Sequence, residues 1–207
     1  MNLNDLSNDI YILNLKSRSD RRQHILSQFE KINCTKYTLF DALDGSLFKN
    51  NTRLKNGMLG LVLTYVEIYK NWVKNKSDNI LIVEDDCIFN EDFSAKLSVY
   101  ISHVPKNWEM LYFGANHNYH MGEKTEAIND YCIKLNNSFS AHCVLLKSFV
   151  FEELIGVISG LSMENDVALA NLQKKYNAYS SSSPLTSQIE SFSDIEKCIV
   201  NYDWLIK

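Results

Sequence analysis

The run Ile80-Leu81-Ile82-Val83 stops without a spacer on Glu84-Asp85-Asp86. Four consecutive branched apolar residues suit a strand buried on both faces, because a strand with one solvated face alternates apolar and polar residues instead. Such a strand belongs inside a sheet covered by helices on both sides, and this constrains the fold class more than any other segment. The carboxylates then stand at the tip of the strand. Period-two geometry sends Glu84 and Asp86 to one side and Asp85 to the other. Unpaired acids at such a tip repel one another, so the arrangement makes sense when a hard divalent cation and its anionic ligand sit there.

The rest of the chain alternates in the same sense. Residues 10–15 read as a short strand carrying Asn14, Ser19 offers an N-cap, and residues 20–31 read as an amphipathic helix. Residues 37–40 form a second expected strand, closed by the turn-like Asp41-Ala42-Leu43-Asp44-Gly45. A long helix over 57–74 follows, with Val62, Tyr65, Val66, Tyr69 and Val73 on one stripe. Later come a helix over 91–102, strands over 108–113 and 139–146, and helices over 149–158 and 164–175. Residues 117–129 read as a binding loop, 180–194 as an irregular serine-rich tail, and 202–206 as a short apolar element. Strand–helix alternation implies an α/β fold with a mostly parallel central sheet, whose ligands bind beyond the carboxyl ends of the strands. Asn14, Asp41 and residues 84–86 are expected to gather there.

Length and charge narrow the function. The 207 residues, 45% of them apolar, suffice for one substantial core and are read as one domain, 1–207. A formal charge of −4 argues against a nucleic-acid groove. No apolar run approaches the roughly 20 residues that span a bilayer, and residues 1–8 lack the character of a signal peptide, so a cytoplasmic location without a transmembrane segment is expected. Cys34, Cys87, Cys132, Cys143 and Cys198 show no metal-binding spacing and are expected as buried thiols. The chain carries 17 lysines, 22 asparagines and only four arginines, the skew of an AT-rich genome such as that of a large DNA virus or a parasite. All four arginines, Arg18, Arg21, Arg22 and Arg53, lie in the first quarter. At the head of the first helix a cation opposes the macrodipole, so Arg18, Arg21 and Arg22 are read as bidentate donors for a ligand such as a pyrophosphate.

Three motifs in order, Ile10-Tyr-Ile-Leu-Asn-Leu with Arg18 and Arg21-Arg22, Phe40-Asp-Ala-Leu-Asp-Gly45, and Leu81-Ile-Val-Glu-Asp-Asp86, resemble glycosyltransferase family 25, the lipooligosaccharide and procollagen galactosyltransferases. Gly57-Met-Leu-Gly60, Asp92-Phe93, residues 108–114, and Gln188 with Ser193-Asp194-Ile195 extend the resemblance over nearly the whole chain. The resemblance implies a GT-A type fold and inverting transfer of a hexose, galactose or glucose, from a UDP-sugar to a hydroxyl of a glycan or of hydroxylysine. It also implies Mn2+ or Mg2+ as cofactor. Thr64-Tyr65 stands where the family shows Ser-His, and His142 where it often has an aromatic residue. A catalytically inactive nucleotide-sugar or glycan-binding module of the same fold is the alternative.

The expected roles follow. Glu84 and Asp86 are the metal ligands, Asp86 directly. Asn14, Arg18, Arg21, Arg22, Asp41, Asp44, Gly45, Gly57, Glu84 and Asp85 are assigned to the donor, with Gly45 read as a turn glycine free to take positive φ. Inverting transfer needs a general base, for which Asp166 is the first candidate and Asp194 the second. His117, His120 and His142 read as loop or core histidines rather than ligands. Trp108, Tyr112 and Tyr119 are expected near an acceptor sugar. A response-regulator receiver domain, which also ends a strand on paired acids, is set aside for want of its phosphorylatable aspartate strand and its downstream Lys beside Pro.

Overall fold

A computed structural model describes residues 1–75, 77–117, 125–195 and 198–200. The expected element over 202–206, together with Tyr119 and His120, lies outside them. The strands are β1 (Ile10–Leu15), β2 (Thr38–Ala42), β3 (Asn79–Glu84), β4 (Cys87–Phe89), β5 (Met110–Tyr112), β6 (Glu126–Asn129), β7 (Cys132–Lys134), β8 (Cys143–Lys147), β9 (Ala178–Ser181), β10 (Thr186–Gln188), β11 (Ser191–Phe192) and β12 (Ile199–Val200). The helices are α1 (Ser19–Lys31), α2 (Asn56–Trp72), α3 (Phe93–His103), α4 (Ser148–Ile158) and α5 (Asn165–Leu172).

The central sheet runs β2-β1-β3-β8-β5-β9-β7-β6. β1 is parallel to β2 and β3, and β5 is parallel to β9, while β8 and β7 run against their neighbours. The sheet is thus mixed and mostly parallel, with the both-sided burial read from residues 80–83. Ile80 and Ile82 enter one core with Tyr11, Leu13 and the inner faces of α2, α4 and α5. Leu81 and Val83 enter the other with Ile10, Ile12 and the inner faces of α1 and α3. In the first core Trp72 meets Phe151 edge to face at 5.4 Å, a geometry worth about 0.5–1.5 kcal/mol beyond its area.

Several local expectations shift. The buried face of α2 carries Leu59, Val62, Tyr65, Ile68 and Trp72, so Val62 and Tyr65 lie on the expected stripe while its second half runs one position earlier and leaves Val73 exposed. The tail over 180–194 begins with the last two residues of β9, which lies inside the sheet, and contains β10, which pairs with β4 immediately after the acids. Part of the 117–129 loop is β6, an exposed edge strand. Cys198 is exposed, whereas the other four cysteines are buried.

Two features set the rim where the ligand cavity opens. Gly45 and Gly60 pack backbone to backbone: a Cβ on Gly45 would fall 1.9 Å from the Asn56 carbonyl oxygen, and one on Gly60 2.4 Å from that of Leu43. Thr64 secures the same contact, donating to the Gly60 carbonyl at 2.7 Å and accepting the Leu43 N–H at 2.9 Å. Gly45 therefore serves close approach to α2 and not positive φ. Because β8 runs antiparallel between β3 and β5, its first residues stand beside the last residues of β3, with Cys143 opposite Val83. The loop that precedes β8 thus reaches the rim that holds the acids.

Candidate active site

Two adjoining cavities, of about 260 and 280 Å3, open at this rim. Leu61, Glu84, Gln188, Ser193 and Ile195 line both, so Glu84 sits at the seam. The first cavity is walled by Leu13, Leu15 and Ala42 from the strand ends, with Arg18, Arg21 and Asp44 around them. The second is bordered by Met58, Phe139, Ser140, Asn165 and Asp166.

The strand ends at Glu84, and the next two residues form a turn, so Asp85 does not face away from Asp86. Both carboxylates converge on Arg21, whose Nη1 lies 3.0 Å from Asp85 and 3.2 Å from Asp86. All three side chains are about nine-tenths buried. Asn14 is also buried, beneath this pair rather than facing the cavity, and donates to Asp85 Oδ2 at 2.8 Å and to the Arg18 carbonyl at 3.1 Å. Burial pushes the Asp85 carboxyl up, against the pull of Arg21 and the hydrogen bond from Asn14.

Glu84 is treated differently. No side-chain hydrogen bond or ion pair joins its carboxylate to a described residue. Burial first, and then the charges of Asp86, Asp166 and Asp85, hold its carboxyl well above the usual carboxylate range. Asp166, at the head of α5, accepts the Ser140 backbone N–H at 3.3 Å. Burial, with a small addition from Glu164, pushes it up to about 6.

Several expected roles need correction. Asp41 and Arg22 do not reach the cavity. Asp41 pairs with Asn14 in the strand register, on the face opposite Leu15 and Ala42, and its half-exposed carboxylate lies 3.1 Å from Lys16 and 3.7 Å from Arg22. Arg18 and Arg21 do border the first cavity, but their guanidinium groups are already engaged by acids of the chain. Arg18 donates to Asp20 at 2.8 Å and to Asp194 at 2.7 Å. That ion pair occupies Asp194, the second base candidate, and ties the 192–194 segment across the first cavity, an arrangement that a proton on Asp194 would disrupt. Gly57 packs against this segment, with Ile195 2.9 Å from where its Cβ would be. Asp44 caps the turn after β2 by accepting the Ser46 N–H at 2.9 Å. Trp108 lies at the opposite end of β5 under Lys147, whose Nζ is 4.1 Å from its ring centre, and lines neither cavity. Tyr112 is buried, and its hydroxyl accepts from Gln173.

Residues to which the sequence assigned no role complete the site. Gln188 donates to Asp86 Oδ1 at 3.3 Å. Asn165 and the Tyr65 hydroxyl are buried against each other, without a well-aligned hydrogen bond to any other described residue. Tyr65 fills the place of the family histidine inside the core, where it feels the charges of Glu84 and Asp166.

The chain matches the model of glycosyltransferase family 25, described as an LPS biosynthesis protein family, over residues 7–152. It belongs to that family. It is 26% identical over 162 residues to a procollagen lysyl hydroxylase and glycosyltransferase of Acanthamoeba polyphaga mimivirus, a match covering 63% of this chain and 17% of the relative. It is 25% identical over 129 residues to procollagen galactosyltransferase 2 of Mus musculus, covering 51% of this chain and 20% of the relative. The chain therefore spans a fifth or less of the length of these two relatives. Among solved structures, the inositol-1-phosphate CTP transferase from T. maritima shares the fold at a TM-score of 0.51 and 11% identity, covering 96% of this chain and 93% of that one. The family and the sheet order together identify the GT-A type fold.

The acids also bear on a metal. Among the described residues no group of three His, Cys, Asp or Glu side chains is disposed to hold a cation alone. Mg2+-like ions usually take one or two carboxylates, keep several waters and complete their shell with substrate phosphates. Glu84, whose side chain makes no ion pair with a described residue, with Asp86 beside it, fits such a shared site.

Proposed function

We propose that this glycosyltransferase-family chain moves a hexose from a UDP-sugar to a hydroxyl of a glycan or hydroxylysine acceptor, with inversion and with Mn2+ or Mg2+. The observation that carries the reading is Glu84, a half-buried acid at the seam of two cavities whose side chain makes no ion pair with a described residue and whose nearest charges are mostly other acids. One cavity is bordered by arginines, and the other holds a carboxyl raised to about 6. The family and the activities named for the relatives agree with it.

In this reading the donor diphosphate lies in the first cavity, against Arg18, Arg21 and the turn at Asp44 and Gly45. Glu84 and Asp86 would hold the cation, which supplies charge neutralisation for the departing diphosphate. Asp166 takes the proton of the acceptor hydroxyl from the second cavity. Its position across the seam from the donor cavity suits attack opposite the leaving group, as inversion requires. A carboxyl near 6 is ionised at neutral pH and still basic enough to accept that proton. The 192–194 segment, fastened by Arg18 to Asp194, limits water at the leaving group.

The test is a transfer and hydrolysis assay across UDP-sugars, with and without Mn2+, joined to melting curves with UDP. The expected result is turnover of UDP-galactose or UDP-glucose that needs the metal, and a UDP-induced rise in Tm that Glu84→Gln makes metal-independent. At 100 times Kd the stabilisation is about 2.7 kcal/mol. A Tm rise without turnover of any UDP-sugar favours the inactive binding module. No response to UDP with or without metal overturns the proposal.

A further inference from the structure

Ser140 borders the second cavity and contacts Gln188, which lines both. Its backbone lies in the left-handed region at φ 78°, unusual for a residue other than glycine. Such a conformation is strained and persists when the surroundings over-determine it. They do so here. On one side the chain is pinned by paired backbone hydrogen bonds between Phe139 and Asn116, each 2.8 Å, and by Gln173, which accepts the Ser138 N–H at 2.8 Å and donates to the Ser138 carbonyl at 2.7 Å. On the other side the Glu84 N–H donates to the His142 carbonyl at 2.9 Å, so the segment is fastened to the strand of acids.

Gln188 turns its amide nitrogen to Asp86 Oδ1, since its oxygen there would face another oxygen, and this leaves Gln188 Oε1 facing Ser140 Oγ at 3.3 Å. The Ser140 hydroxyl is also 2.6 Å from His142 Nδ1, and His142 Nε2 lies 2.9 Å from Thr186 Oγ1, so the buried imidazole backs the Ser140 side chain. Burial pulls that imidazole down to about 4, so it is neutral there. Meanwhile the Ser140 N–H holds Asp166 Oδ2. One residue thus grips the donor-side acid through Gln188 and the acceptor-side acid through its own backbone.

We infer that Ser140 is a positioning residue that couples Asp86 to Asp166, so that the geometry imposed on Asp86 when the donor binds is passed to the group facing the acceptor. The inference rests on the function proposed above and names a residue that function does not require. Ser140 touches neither reacting atom. Its contribution is orientation, and it falls on kcat rather than on donor affinity.

The test is a double-mutant cycle on kcat and donor KM with Ser140→Gly, Gln188→Ala and the double variant, with Tm measured on each. Glycine keeps the N–H and relieves the φ 78° conformation, so Ser140→Gly is expected to melt no lower than the wild type. Its kcat is expected to fall about tenfold with donor KM within about threefold. Gln188→Ala is expected to lose a similar factor, and the double variant no more than the larger single loss. Multiplicative losses, a loss confined to KM, an unchanged kcat in Ser140→Gly, or a kcat loss that tracks a falling Tm each overturns the coupling. A wild type without turnover on any UDP-sugar instead overturns the function on which the coupling rests.

Discussion

Replacing Asp166 by Asn should make the protein more stable while disabling it, and the gain should depend on pH in a defined way. The carboxyl of Asp166 is pushed up to about 6 from an ordinary 3.8 by burial, with Glu164 adding slightly. Tyr65 and Tyr112 also lie within its field, as does Glu84, and Ser140 supplies its hydrogen bond. The folded state therefore keeps the proton to higher pH than the unfolded chain. Folding is relatively favoured below about pH 4, and that advantage is lost as the pH rises through about 6. A gap of roughly two units at about 1.4 kcal/mol each corresponds to about 3 kcal/mol lost by pH 8. Asn cannot ionise, yet its side-chain oxygen still accepts the Ser140 N–H. Urea unfolding of both proteins from pH 4 to pH 8 reads the difference directly. Asp166→Asn should be about 3 kcal/mol more stable at pH 8 and within about 1 kcal/mol at pH 4, with turnover reduced about 10²–10⁴-fold, as for loss of a general base. A gain that persists at pH 4, or no gain at pH 8, refutes the reasoning that burial of an ionised carboxylate sets this site.

Arg21→Met should cost about 3–5 kcal/mol near neutral pH, because it leaves Asp85 and Asp86 buried without their shared cation; a loss below about 1 kcal/mol in urea unfolding would show that the pair is better solvated than its burial indicates. Gly60→Ala should lower stability by about 1–3 kcal/mol or more, read from the melting curve, since the new methyl meets the Leu43 carbonyl and the backbone of Gly45. Arg22→Ala should change stability by no more than about 0.5 kcal/mol and leave UDP affinity by calorimetry unaltered, because its partner Asp41 is exposed and both lie outside the cavities.

The chain discloses its central strand because both-sided burial leaves an unbroken apolar run, and residues 80–83 have no other comfortable home. β9 carries no such mark. Its Ala-Tyr-Ser-Ser is small and polar, yet all four residues are buried, because in the interior of a sheet the ladder bonds and neighbouring strands decide the conformation where the side chains do not. The acids of the site were legible for a similar reason: three carboxylates at a strand end demand an explanation. What answers them was not. Arg21 lies 64 residues from Asp85, and Gln188 lies 102 from Asp86, so only the fold shows which charges and dipoles meet. Asp41 misled because an acid at a strand end can face either side, and its register beside Asn14 turns it away. Ser140 gave no signal, since a left-handed backbone at a residue other than glycine comes from the clamps around it and not from its own preference.

The reversed direction of β8 has an evolutionary reading. A strand that runs against its neighbours delivers its incoming connection, rather than its outgoing one, to the edge where chemistry is arranged. Within the stretch between β5 and β8, the positions outside β6, β7 and the clamps at Asn116 and Ser138–Ser140 can therefore change ahead of the strand while β3, which bears the acids, keeps its register with Cys143–Lys147. Diversification of acceptor preference within a common donor scaffold would concentrate in that stretch, upstream of a strand whose own residues stay fixed by the two cores.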